Sequence, residues 1–149
     1  MSLVSTGIFR GFSHILAALF NNRSRFERAW RDYQPAEDAL KSIAGRWQGE
    51  WISETTRHRG ELKCLLSRPD GEQLEAIFLA AFWRFLRVGY GVRLSATATG
   101  GGFRLKGHSD LGALAGGIYQ YEGEVNLAQF NCSYRCKYDN GLFQLKRVD

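Results

Sequence analysis

The sequence predicts an α+β chain that is mainly β, with a helical segment over residues 1–44 and an approximately eight-stranded antiparallel β-barrel over residues 45–149. Three observations carry that prediction. Before Gly45, apolar residues recur at helical spacing. After it, short alternating runs separated by turn residues return roughly every ten residues, as in sandwiches and barrels. The change falls within Gly45–Ser53, where Trp47, Gly49, Trp51 and Ser53 share one face of a strand and Gln48, Glu50 and Ile52 the other.

The helical segment divides into three. Ser5-Thr6-Gly7 caps a first helix running to about Phe20, with Phe9, Phe12, Ile15, Leu16, Leu19 and Phe20 as a wide apolar stripe. Asn21 and Asn22 terminate it or cap the next element. Ser24 to Tyr33 reads as a short basic helix with Phe26, Ala29, Trp30 and Tyr33 on one face, and Glu27 stands four residues before Arg31, a favourable spacing for an ion pair. Pro35 opens a third helix, since proline is tolerated in the first turn, and Gly45 ends it.

The predicted strands follow. Glu61–Ser67 points Leu62, Cys64 and Leu66 inward, and Pro69-Asp70-Gly71 turns the chain. Gln73–Arg87 reads as one long strand, apolar on both faces, with Phe78, Ala80 and Phe82 on one side and Ile77, Leu79, Ala81, Trp83 and Phe85 on the other. A helix is the rival reading there; aromatic neighbours and flanking turns favour the strand. Tyr90–Ala98, Phe103–Gly107, Ile118–Val125, Gln129–Tyr138 and Leu142–Val148 complete the series, with Gly100-Gly101-Gly102 and Asp139-Asn140-Gly141 as turns. Eight strands can close a small barrel without edges. Because Gln73–Arg87 is apolar outside as well as inside, something must cover its outer row, and the helix from Ile8 to Phe20 offers a matching stripe.

Gly45-Arg46-Trp47, opening an antiparallel series after a helical lead-in, resembles the Gly-x-Trp motif of lipocalins and the wider calycin superfamily. In that family the tryptophan packs against a basic side chain near the end of the barrel, and Arg147 stands in the last strand here. The resemblance implies a calycin-like barrel in which Trp47 stacks on Arg147. It also implies a binder of small hydrophobic molecules. Nitrobindin-type relatives hold haem through a histidine near the C-terminus, but no histidine follows His108, so no cofactor is expected.

Composition narrows the functions. A net charge of +5 is spread diffusely over both segments, which argues against a nucleic-acid interface. Three cysteines, Cys64, Cys132 and Cys136, make an odd count. On one strand Cys132 and Cys136 would lie ~13 Å apart at ~3.3 Å per residue, beyond disulfide reach. Free thiols fit a reducing, cytoplasmic setting, with a pairing of Cys64 left open. Ile15–Phe20 is too short to span a bilayer.

No enzymatic constellation stands out. His14, His58 and His108 are too far apart to form a metal-ligand pair. His108, Ser109 and Asp110 are adjacent, and adjacent strand residues point to opposite faces. Glu122 and Glu124 read as a solvated face, and the glycine triplet lacks the lysine of a phosphate loop. What remains is the interior, onto which Trp51, Phe82, Tyr90, Tyr119, Tyr121, Cys132 and Tyr134 converge. The leading expectation is non-enzymatic binding of a small apolar ligand there, with a cavity of roughly 300 Å³ or more. The alternative is an interaction module: a barrel filled by its own side chains, with the N-terminal helices contacting a protein partner, a second copy of the chain or a membrane surface. Arginines 23, 25, 28 and 31 keep the membrane option open.

Overall fold

A computed structural model describes residues 22–35, 42–70, 73–82, 86–113 and 116–148, with the side chains of 68–70 excepted. One helix, α1 over residues 22–32, precedes eight strands: β1 Gly45–Ser53, β2 Arg59–Asp70, β3 Gln73–Phe82, β4 Leu86–Ala98, β5 Phe103–Asp110, β6 Ile118–Val125, β7 Gln129–Arg135 and β8 Asn140–Arg147. Each strand pairs antiparallel with the next, and β8 returns to β1, so the barrel is closed. The predicted helix to Phe20 and most of the one from Pro35 lie outside the described residues.

Besides shifts of a few residues at strand ends, three differences from expectation stand out. The run from Gln73 to Arg87 is two strands, not one, because Ala81 pairs with Arg87 and Phe82 with Leu86 across a hairpin. An unbroken apolar sequence hid that reversal: Trp83-Arg84-Phe85 contains no glycine, proline or asparagine to announce a turn. The second difference is in β7, which stops at Arg135, so Cys136 and Tyr138 leave the inward row; Tyr138 is 68% exposed. Cys64, Cys132 and Cys136 are all free thiols. Third, Glu27 pairs with Arg23 at 3.1 Å, while Arg31 pairs with Asp32 at 3.1 Å. Both Arg23 and Arg31 are within about one helical turn of Glu27, and spacing alone does not choose between them.

Inward residues of every strand build one core, in which Trp47, Leu62, Cys64, Leu74, Leu105 and Phe130 are fully buried. Gly49 brings β1 and β8 together: a Cβ there would stand 1.9 Å from the Gln144 carbonyl oxygen. Rings then run the length of the interior. Trp47 meets Phe130 edge-on at 6.0 Å, Phe130 meets Phe78 at 6.5 Å, and Phe78 meets Tyr90 at 5.2 Å and Phe143 at 5.5 Å.

Of the outer apolar row of β3, Leu79 is buried and lies under α1, while Ile77 and Ala81 are half-buried. Leu79 is the Cα partner of Gly89 on one side and of Lys63 on the other, so these three outward positions form one line across β4, β3 and β2. The start of α1 lies against Gly89, where a Cβ would stand 2.7 Å from the Asn22 carbonyl carbon. Further along, Trp30 lies beneath the Lys63 ammonium, 5.4 Å from its ring centroid, and beneath the Arg46 guanidinium at 5.6 Å. A helix touching both ends of the line spans Leu79 between them. Leu79 and Phe26 are accordingly 4% and 2% exposed although neither belongs to the barrel core. Cover at Leu79 comes from residues 22–32; the stripe at Ile8–Phe20, expected to cover this face, lies outside the described residues.

Candidate ligand site at the open end of the barrel

Trp47 and Trp51 stand four residues apart on the same face of β1 and mark the two ends of the barrel. At the first end Trp47 Nε1–H donates to the Ile43 carbonyl at 3.0 Å. Arg147, its Cα partner across β1 and β8, holds its guanidinium 5.4 Å from the Trp47 ring centroid. The same guanidinium donates to the carbonyls of Ser42 and, at 2.7 Å, of Ala44. This end is sealed.

At the other end a cavity of about 70 Å³ opens to solvent at the rim. Six of the seven residues expected to converge line it: Trp51, Phe82, Tyr90, Tyr119, Tyr121 and Tyr134. Cys132 does not; it is buried beneath, and its thiol reaches the Ser133 carbonyl at 3.4 Å. Phe143, Ala80, Leu111 and Asp139 complete the lining and were missed from sequence. Phe143 could have been found by extending the alternation of the last strand. Asp139 reads as a turn residue, and nothing local shows that its carboxylate turns inward. The volume is far below the roughly 300 Å³ that a drug-sized ligand needs, which corrects the expectation of a roomy interior. The physical reason is the number of large rings: Trp51 and Phe82 lie 4.9 Å apart, and Tyr134 and Phe143 5.1 Å apart, so they fill the space they enclose.

Polar groups at this end are tied together. Asp139 accepts from the Ser53 hydroxyl at 2.7 Å and from the Tyr134 hydroxyl at 3.0 Å. Tyr121 and Ser109 share a hydroxyl–hydroxyl bond of 2.9 Å. Burial raises the phenols of Tyr119 and Tyr134 well above the usual tyrosine range, with the Cys136 thiol adding to the first and the Asp139 carboxylate to the second. Tyr121 is pushed up to about 12 by burial, against the lowering effect of its bond to Ser109. Cys132 rises to about 12, and Cys64 well above its ordinary value, chiefly through burial. These are protonated groups at neutral pH, suited to packing and hydrogen bonding, not to nucleophilic attack. His108 and Asp110 are exposed on the outer face while Ser109 turns to Tyr121, as strand alternation requires. Among the described residues no group of three His, Cys, Asp or Glu side chains could hold a metal ion, and no helix is long and apolar enough to cross a membrane.

The wall beside the cavity is thin between β4 and β5. Their pairing begins at Arg93 and His108, so β4 from Leu86 to Val92 has β3 as its partner and no β5 neighbour in register. Tyr90 and Leu111 line both the cavity and a broad groove along the outside of these strands. That groove is wider than the cavity, but it is an open surface lined by outward side chains such as Arg93, Ser95, Lys106 and His108.

No protein-family model and no curated protein matches the chain. Among solved structures it is similar to the crystal structure of a point mutant of the fluorescent protein UnaG, at 10% identity and a TM-score of 0.42, over 74% of this chain and 99% of that one. At that identity and score, nothing about ligand or activity carries across.

Proposed function

We propose that the protein is a non-enzymatic binder that captures a small molecule by inserting an apolar end group into the open end of the barrel. The observation that carries this reading is the cavity of about 70 Å³, walled by seven aromatic rings and open at the rim. Its volume admits a group of a few heavy atoms; an apolar cavity of about 150 Å³ is enough for benzene. The calycin-like placement of Trp47 over Arg147 at the sealed end supports the same reading. For about five heavy atoms at no more than about 1.5 kcal/mol each, the limit is about 7 kcal/mol, so affinities lie in the micromolar to millimolar range. Titration with tert-butanol, followed by amide chemical shifts, should perturb Tyr121, Tyr134 and Phe143 saturably. Tyr134→Trp, which fills the space, should abolish the response while the fold survives.

The small volume favours a second reading, a barrel plugged by its own rings that acts as an interaction module. In that case no small probe perturbs the interior, and the N-terminal helices contact a protein, a second copy or a membrane. The apolar face of α1 is already turned to the barrel at Phe26, so residues 22–32 would offer a partner their exposed arginines, Arg25, Arg28 and Arg31.

A further inference from the structure

The charge inside the open end is unbalanced. Of twenty Lys and Arg residues, none among those described lines the cavity, although the chain as a whole carries +5. Its one charged lining group is Asp139, a partly buried carboxylate with no ion-pair partner among the described residues. The hydroxyls of Ser53 and Tyr134 each take one of its oxygens. A carboxylate offers about four acceptor sites, so two hydrogen bonds leave about half of that capacity. Apart from Ala80 and Leu111 the rest of the wall is aromatic, and ring faces carry negative partial charge that attracts cations and repels anions.

We propose that this cavity is selective for a small organic cation, an amine or alkylammonium head group, which enters the ring of aromatic side chains with its charge toward Asp139. This deepens, and rests on, the reading of the open end as a ligand site. It names the class of ligand: an anionic head group, such as a fatty acid's, would meet a carboxylate and, among the described residues, no basic side chain. A cation instead gains the carboxylate, the ring faces and the tyrosine oxygens together, in a place from which water is partly excluded.

Three probes of similar shape and different charge test this on the full-length protein: tert-butylammonium, tert-butanol and pivalate, each titrated at about pH 7 with amide chemical shifts as readout. The expected order is tert-butylammonium at least tenfold tighter than tert-butanol, with pivalate weakest. Asp139→Asn should bring the first two within about twofold of each other. Tyr134→Phe keeps the ring and frees one carboxylate oxygen, so it should raise the preference for the cation about threefold; it serves where Asp139→Asn fails to fold. If tert-butanol or pivalate binds as tightly as the cation, or if either variant leaves the ratio unchanged, the cation assignment is overturned while the ligand site stands. If none of the three perturbs the interior, the ligand site itself fails and the cation assignment with it.

Discussion

The sealed and open ends of the barrel are built from the same kinds of residue and behave differently. Each has a tryptophan from β1 packed on another ring, Phe130 for Trp47 and Phe82 for Trp51. Each indole N–H donates to a main-chain carbonyl, Ile43 for Trp47 and Ala81, at 2.9 Å, for Trp51. The difference lies in what closes over them. Trp47 is capped by Arg147, whose own donors are fixed on the carbonyls of Ser42 and Ala44, and it is 0% exposed. Among the described residues Trp51 has no such cap, and the cavity beside it is lined by tyrosine hydroxyls and the Asp139 carboxylate. The same aromatic chemistry gives stability where the polar groups lock onto backbone, and a cavity where they stop at the rim. Phe78, in contact with rings toward both ends, joins the two regions.

The largest expected effects break the sealed end. Trp47→Ala should cost ~3–5 kcal/mol, as for truncation of a buried aromatic. Trp51→Ala should cost less, ~1–3 kcal/mol, because it borders a cavity open at the rim and water can enter the space it leaves. Urea midpoints at constant slope compare the two; equal losses would mean that the ends are energetically alike.

Next comes the outer face, which shares neither end. Phe26→Ala should cost ~2–4 kcal/mol, and a chain beginning at Ile43 should bind a hydrophobic dye or aggregate as Leu79 is uncovered. A shortened chain that is soluble, dye-silent and as stable as the full one would make α1 a detachable tail.

Arg147→Met keeps the length of the side chain and removes its donors. Two carbonyl bonds and the contact with the indole are lost, for an expected ~1–3 kcal/mol. At the open end Ser53→Ala should cost ~1 kcal/mol, since Asp139 retains Tyr134 and access to water. Reversal of that order would contradict the cap.

Alkali should act mainly through the open end. Tyr121 keeps its proton to about pH 12 in the folded protein, against 10 for an ordinary tyrosine, and Cys132 to about 12 against 9. Above the ordinary values the unfolded chain releases protons that the folded chain retains. The stability from each group is therefore whole below its unfolded pKa and is lost as pH rises toward the folded one, at up to ~1.4 kcal/mol per pH unit. Phenolate absorbance should show the interior tyrosines ionising only with unfolding. Early ionisation of Tyr121 would show that the open end is wetter than its packing implies.

Much of this architecture was written in local pattern. Period-2 alternation placed Trp47, Trp51, Tyr121 and Tyr134 on the inner face, because a strand has only two faces and a closed barrel must fill one. Turn chemistry at Asp139-Asn140-Gly141 marked the last hairpin, and the count of about eight strands allowed a closure that the register of β1 on β8 supplies. Tertiary structure decided the rest. The reversal between β3 and β4 is announced by no turn residue in the sequence and is seen only in the pairing of Phe82 with Leu86. The cavity is small because rings from six strands meet in one layer, and their joint volume is not a property of any segment. Asp139 faces that layer because Ser53 and Tyr134, far from each other in the chain, converge on its two oxygens. Periodicity tells a side chain which face to take; only packing across strands fixes how much room is left there and which charge stands beside it.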